Sequence, residues 1–430
     1  MRPRKRARSK CSQKDTNTCS DSKRLRMWAL FVCRHKQNRY SMFQCICGVY
    51  ISIMDNIVNY LKHNFDVLGD REFGAVDSLI LSQLSYVNFA GIVAHLRDRA
   101  KPVRIQELLK AEMYESMFAN MRDIDTHLDF LHALAASPRF RQVQLNHYVN
   151  HTDPVTEKQF AAVTFLLGDN TAYIAYRGTD STYIGWKEDF NMAYMSPIPS
   201  QEEGVEYLNA VAKRLPMFMK ILTGGHSKGG NIAIYSAMKC NTKTQKRIVS
   251  VYNHDGPGFK AGLFDSPEYQ NMKRRIHTTL PEESLVGMLL QHHEDYSVVK
   301  SSRHGFKQHD PFTWIVENGD FSYADGIKEG VLKRNHTLNE WLSTLTNEKR
   351  KAIIDALFEV LEKTQTDNFY ELSEEWQKSA TALLYAIKNI DPETKKFIFQ
   401  TITELAKLSF KKLLKSKDKS SFKKGLVKSE

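Results

Sequence analysis

The chain has 430 residues, enough for one large domain or two with a well-buried core. Its formal charge of +12 sits at the ends: residues 1–53 hold 13 Lys/Arg against 2 acids and 407–430 hold 9 Lys against 2, so 54–406 sums to about −6. No run of about 18 apolar residues occurs, so no spanning helix is expected, and five of the six cysteines fall in the first 53 residues, which excludes a disulfide framework for the body.

Residues 1–53 are basic, and their apolar pieces are short and broken by Arg34, His35 and Lys36, the wrong order for a secretory signal. We read this segment as a solvated, disordered extension, or as an over-long gene start with Met54 as the true first residue. Cys45 and Cys47 have no matching Cys/His pair at zinc-finger spacing, so no metal is expected. The single thiol of the body, Cys240, fits a reducing, cytoplasmic compartment.

From Met54 the pattern becomes amphipathic. Apolar spacing predicts helices over 76–93, 104–118 and 128–137. The period then changes to two: VQLNHYVNHT, FAAVTFLL and TAYIAYRG read as strands, with Gly168-Asp169-Asn170 as the turn between the last two. A Gly/Thr/Ser-bearing loop and the Pro-rich MSPIPS follow. EGVEYLNAVAKRL puts Val205, Leu208, Val211 and Leu215 on one helix face, and Pro216 stops it. MKILTG reads as a strand, NIAIYSAMKC as a helix, and KRIVSVYNHDGPGF as a strand ending in a sharp turn. This alternation predicts a parallel sheet. Beyond about residue 330 the strands stop. AIIDALFEVLEK, LSEEWQKSATALLYAIKN and the segment from Pro392 read as amphipathic helices, ahead of a Lys-rich tail.

One stretch carries chemistry. TGGHSKGGNIAIYSAM, residues 223–238, satisfies G-x-S-x-G at Gly225-His226-Ser227-Lys228-Gly229, with an apolar strand running in and an apolar helix running out. A turn this sharp strains the serine backbone, and side chains two residues either way would collide with the adjoining strand and helix; glycine removes them. The helix N-terminus then directs its first amides at the same spot, where a negative oxygen can be held. Ser227 is the candidate nucleophile. The alternative is a glycine-rich turn without chemistry, or one that binds phosphate.

TAYIAYRGTDSTYIGWKEDF makes the resemblance specific. The chain resembles the fungal-type, class-three lipases, whose strand ends in Arg-Gly-Ser/Thr followed by a Trp and an acid; here these are Arg177, Gly178, Thr179, Trp186 and Asp189. The resemblance implies that Thr179 gives its N–H and hydroxyl to an oxyanion, with the N–H of Lys228 as second donor. VDSLILSQLSYVNF, AYRGTDS, GGHSKGGNIA, DGPGF, SLVGMLL and QHDPFTW together resemble a bacterial family of lipase-like proteins of unassigned function, over about 54–315. Lys228 departs from ordinary lipases, which carry an apolar residue after the serine. Its side chain pairs with a nearby carboxylate, meets an anionic substrate, or points to water.

The serine needs an imidazole, and the imidazole a carboxylate. Seven histidines follow Ser227: His254, His277, His292, His293, His304, His309 and His336. Spacing alone does not choose among them. QHDPFTW resembles the His-plus-aromatics ending of fungal-type lipases, which assigns His309. For the acid we take Asp255, which ends a strand in NHDGPGF, a suitable place, though a turn-capping aspartate explains it too. Fungal-type lipases use an acid after the following strand, where TTLPEESLVG offers Glu283 or Glu282, with Ser284 nearest the matching position. Asp295 is a further candidate, and Asp310 lies too close to His309 in sequence.

The expected architecture is α/β: an α/β-hydrolase, lipase-like core with N-terminal helices and an all-helical C-terminal region. The expected divisions are 1–53, 54–325, 326–410 and a Lys-rich 411–430. The expected function is a serine esterase that needs no cofactor and takes an ester or lipid-like substrate. Weak contact of the Lys-rich end with anionic membrane is a further expectation, and specific nucleic-acid binding is not expected. The rival is a hydrolase-like scaffold that binds a partner or lipid without chemistry.

Overall fold

The computed structural model describes residues 56–363, apart from Asn120, Arg122, Ser181 and His293. The basic extension, the helices read over 372–389 and 392–415, and the Lys-rich tail lie outside the described residues.

The first described elements are helices α1 (Ile57–His63) and α2 (Ala75–Leu84). The helix expected over 76–93 stops at Leu84, because Ser85–Val93 turns back on itself through short-range bonds such as Tyr86 N to Gln83 O and Ile92 N to Phe89 O. The helix expected over 104–118 is two single turns and a short helix, α3 (Tyr114–Phe118). Apolar spacing at three or four residues suits a compact chain of turns as well as a helix. Helix α4 (Ile124–Ala136) starts four residues earlier than expected, where the Asp123 carboxylate accepts the Thr126 amide.

An eight-stranded sheet follows in sequential order: β1 (Val103–Arg104), β2 (Gln144–Asp153), β3 (Lys158–Gly168), β4 (Thr171–Tyr176), β5 (Lys220–His226), β6 (Ile248–His254), β7 (Ile276–Pro281) and β8 (Tyr296–Val299). Pairing is antiparallel from β1 to β4 and parallel from β4 to β8. Asp169 and Asn170, both at positive φ, make the tight β3–β4 turn. Between β4 and β5 lie α5 (Tyr183–Asn191), in the segment read as a loop, and α6 (Pro199–Arg214), which Pro199 opens at its first position. Helices α7 (Lys228–Lys239) and α8 (Thr242–Gln245) join β5 to β6, and α9 (Pro267–Met272) joins β6 to β7.

Each crossover from β4 to β7 steps to the next strand in the same direction. Right-handed crossovers of this kind put their helices on one face of the sheet. Tyr207, Leu208, Ile232, Met238 and Tyr269 of these helices accordingly pack on Ile174, Tyr176, Ile221 and Val251. The opposite face, left bare by the crossovers, carries Tyr173, Ala175, Leu222 and Tyr252, and Leu79 and Ile80 of α2 with Phe130 and Leu131 of α4 cover it. The alternation of Tyr173, Ile174, Ala175 and Tyr176 between the two cores is the period-two pattern of the sequence. This mixed α/β architecture is consistent with an α/β-hydrolase core.

After β8 a two-residue hairpin, β9 (Val316–Glu317) and β10 (Asp320–Phe321), precedes α10 (Glu329–Thr344) and α11 (Asn347–Lys363). Val331 of α10 packs with Leu280 and Val298. Ile354 and Phe358 of α11 pack on Tyr183, Trp186 and Phe190 of α5, and the Tyr183 hydroxyl donates to the Phe358 carbonyl at 2.9 Å. The fully buried Phe358 side chain contributes about 1.5–3 kcal/mol. No helix among the described residues is long and apolar enough to cross a membrane.

Candidate active site

Strand register assembles the site. Tyr176 is level with Gly225, and His226 with His254. The residues that follow these pairs, Arg177–Thr179, Ser227 and Asp255, therefore emerge side by side at the C-terminal ends of three neighbouring strands. Ser227 has φ 58° and ψ −133°, a conformation that costs a non-glycine residue roughly 1–3 kcal/mol. Its amide donates to the His254 carbonyl at 2.9 Å, and helix α7 starts at the next residue. A Cβ at Gly225 would strike the carbonyl of Gly229, and one at Gly229 would strike the carbonyl of Tyr176. Both glycines of the motif are thus steric requirements of the turn.

His309 closes a short 3₁₀ turn, Gly305–His309, held by Trp314 Nε1 donating to the Gln308 carbonyl at 2.7 Å and by the Glu283 amide donating to Gln308 Oε1 at 2.7 Å. Its Nε2 lies 3.0 Å from Ser227 Oγ and its Nδ1 lies 2.6 Å from Asp255 Oδ2. A carboxylate only accepts, so the proton belongs on Nδ1, and Nε2 offers its lone pair to the serine hydroxyl. Asp255, fully buried at φ 52°, also accepts from Ser284 Oγ at 2.5 Å and from the Gly287 amide at 3.2 Å through Oδ1. Three donors thus converge on this one buried carboxylate.

The other acid candidates stand elsewhere. Glu283 pairs with Lys328 at 2.6 Å and accepts the Gly305 amide at 2.6 Å. Burial pushes its carboxyl up, but Lys328 and the Gly305 amide outweigh this and hold it below the usual range. Glu282 sits beside it, with its amide on the Val299 carbonyl. Asp295 is exposed just ahead of β8. Ser284, at the position nearest the fungal-type acid, contributes a hydroxyl that holds Asp255. Asp310 caps the Phe312 amide.

The other histidines are engaged away from the serine. His254 is buried with Nε2 on Ser78 Oγ at 2.9 Å, and burial presses its pKa to about 3. Burial lowers the pKa of His277 too. His292 bonds Glu294, and the exposed His304 and His336 pair with Glu283 and Glu340. His293 lies outside the described residues.

In the loop after β4, Gly178 lies against the elbow: a Cβ there would come within 3.2 Å of Ser227 Cβ. Thr179 Oγ1 donates to Asp189 Oδ2 at 2.5 Å. Burial raises the Asp189 carboxyl to about 6, against the opposing pull of Lys228 and Thr179. The side chain of Lys228 meets neither water nor a substrate space. It is fully buried, and its Nζ donates to Glu188 Oε2 at 2.8 Å and to the main-chain and side-chain oxygens of Gln159 at 3.0 and 3.1 Å. Glu188 in turn accepts from the amide and hydroxyl of Ser200 and from the Gln159 amide. This closed set ties α5 and α6 to the first turn of α7.

Sequence reasoning missed three participants. Ser284 enters the sequence reading only for its place in the chain, not as a donor to Asp255, and Glu188 adjoins Asp189, which the resemblance singles out. His226, inside the motif itself, donates from Nε2 to the His309 carbonyl at 2.9 Å, and its ring lies tilted against the His309 ring with centroids 4.6 Å apart. Burial, with His309 and His254 nearby, pushes its pKa well down, so it is neutral and its Nδ1 accepts from Tyr86 Oη at 3.2 Å.

A family model described as Mbeg1-like matches residues 134–359, more than half of the chain. Comparison with curated proteins finds no match. Among solved structures the chain is similar to the crystal structure of M37 lipase, at 17% identity over 49% of this chain and 68% of that one, with a TM-score of 0.31. On the family match, the chain belongs to the Mbeg1-like family.

Proposed function

We propose that this protein is a serine hydrolase of the esterase or lipase type, acting on carboxylic esters. The observation that carries the reading is the hydrogen-bonded line from Ser227 Oγ through His309 to Asp255, at 3.0 and 2.6 Å. A serine hydroxyl near neutral pH is a poor nucleophile without such a base.

In the proposed reaction Ser227 Oγ attacks the ester carbonyl as His309 Nε2 takes its proton. Asp255 holds the imidazole in the required tautomer and stabilises the imidazolium that forms. The negative oxygen of the tetrahedral intermediate is held by the amides of Thr179 and Lys228, the latter among the first N–H groups of α7, which have no intrahelical acceptor. His309 then returns the proton to the departing alcohol, the C–O bond breaks, and the acyl group stays on Ser227. Water, deprotonated by His309, attacks the acyl-enzyme, and the carboxylic acid leaves with Ser227 restored. The Thr179 hydroxyl donates to Asp189 in the resting site, so its amide is the readier donor. We propose residues 54–325 as the hydrolase body, with α10 and α11 as the start of a helical region packed on it.

The test is a screen of p-nitrophenyl esters of graded acyl length, with Ser227→Ala as control. Turnover that the substitution removes supports the reading. Absence of turnover on every ester, or turnover that survives the substitution, opposes it and leaves the binding-scaffold alternative.

A further inference from the structure

One cavity among the described residues lies far from Ser227. It is a cleft of about 620 Å³ at the opposite end of the sheet, lined by Leu215, Pro216 and Met219 just ahead of β5, together with Leu166, Arg99 and Arg214. Strand β5 is seven residues long, so the cleft and the elbow are about 20 Å apart.

Three features of the cleft bear on what it could bind, its two arginines being exposed. First, its two guanidinium groups lack acids. Neither Arg99 nor Arg214 pairs with a carboxylate among the described residues, and Arg214 bonds only the main-chain oxygen of Asp98, at 3.4 Å. The carboxylate of Asp98, which also lines the cleft, accepts the His95 amide at 3.1 Å instead. Second, His147 in the wall is 8% exposed, yet its Nδ1 has no partner. Burial, with the charge of Arg214, lowers its pKa to about 4, so it stands there as a neutral hydrogen-bonding group. Third, the backbone is bent to put it there. His147 has φ 57°, and β2 loses register with β3 between Asn146 and Val149. Tyr148 pairs instead with Ala94 and Leu96, and the His147 carbonyl accepts the Tyr207 hydroxyl at 2.7 Å. A bulge with a strained residue commonly re-aims a side chain for a purpose other than packing.

Apart from Asn146, the rest of the wall is apolar, and the loop between Pro216 and Met219 presents Met217 and Phe218, 72% and 71% exposed. Unpaired cations beside an apolar wall suit one kind of ligand. We propose that this cleft binds an amphiphilic anion, its carboxylate or phosphate head held by Arg99, Arg214 and His147 and its alkyl chain lying along Leu166, Leu215 and Met219. Arginine presents paired donors that match either head group. The head belongs to a free amphiphile or to a lipid of an anionic membrane, with Met217 and Phe218 then meeting the acyl region.

The site is separate from the hydrolase reading, and the test keeps it so by using the full chain with Ser227→Ala. Calorimetric titration with decanoate and with decyl phosphate, each below its micellar concentration, should show binding that neutral decyl glucoside lacks. Arg99→Gln with Arg214→Gln should weaken it at least tenfold for about each arginine lost. Should the double variant melt at lower temperature, Arg99→Gln alone serves, since no side-chain bond of Arg99 is broken. Sedimentation with phosphatidylcholine vesicles, with and without phosphatidylglycerol, separates the sources. Retention on the anionic vesicles that the arginine substitutions diminish assigns the head to a membrane lipid. Binding of the monomeric anions alone assigns it to a free amphiphile. Either outcome supports the site. No binding in both formats, equal binding of decyl glucoside, or binding unchanged by the arginine substitutions overturns it.

Discussion

His226 Nε2 donates to the main-chain carbonyl of His309 at 2.9 Å, so the residue before the elbow serine holds the backbone of the residue that faces that serine. The bond is specific in direction, because a carbonyl only accepts and the buried His226 is neutral. Tyr86, just beyond α2, supports the other nitrogen. The N-terminal helices are thereby connected to the placement of the proposed base.

If this bond positions His309, removing its donor lowers turnover more than substrate binding. His226→Phe is expected to lower kcat about tenfold, the equivalent of one neutral hydrogen bond, with KM little changed. His226→Gln keeps an amide donor and should recover part of the loss. Steady-state kinetics of both variants check this; wild-type kcat in His226→Phe would remove the positioning role.

The choice of acid is tested by comparing carboxylates. Asp255→Asn should leave the geometry near native but favour the wrong imidazole tautomer, with kcat down on the order of 10⁴-fold. Glu283→Gln and Asp295→Asn should stay within a factor of about two, as for substitutions away from reacting atoms. A large loss in either of these, with Asp255→Asn active, would transfer the role.

Lys228 and Glu188 form an ion pair with both side chains fully buried. Removing one partner strands a charge away from water, so Lys228→Met or Glu188→Leu should each destabilise the fold by about 3–5 kcal/mol. The double substitution should cost much less than the two single costs added together. Denaturant unfolding of the three variants measures this, and additive losses would show the charges to be independent.

Asp189 gives a pH-dependent prediction. Its carboxyl has an ordinary value of 3.8 and stands at about 6 in the fold, chiefly through burial. The folded state therefore holds this proton more tightly than the unfolded state. The stabilisation from that proton is complete below the unfolded value and is lost as pH rises through about 6. Asp189→Asn cannot ionise, so its stability relative to wild type should rise between about pH 4 and 6 and level off above. Melting temperatures across that range decide it; a constant difference would contradict the shifted carboxyl.

Much of the site can be read in the chain, and the gaps have physical causes. Gly225 and Gly229 mark the elbow because side chains there collide with backbone, a constraint visible in one short stretch. The aromatics after His309 mark its loop, since Trp314 pins it. The acid stayed open because the decisive fact is lateral: His226 lies level with His254, so Ser227 and Asp255 emerge together, and a linear pattern holds no register between strands. Helix α5 reads as a loop because Thr182, Gly185 and the flanking serine and prolines are turn formers. Its Tyr183, Trp186 and Phe190 face find their partner, Phe358, some 170 residues later. The helix expected over 104–118 is interrupted because the 3₁₀ turn Ile105–Leu108 buries Ile105 and Leu108 at nearly helical spacing.

The central claim is that Ser227 is an activated nucleophile. A fluorophosphonate probe applied to the folded protein, followed by peptide mass spectrometry, measures this without knowledge of the substrate. The account predicts one modified serine, Ser227, with labelling abolished by Ser227→Ala and strongly reduced by His309→Ala. Absence of labelling in folded protein, or labelling that persists in Ser227→Ala, would contradict it.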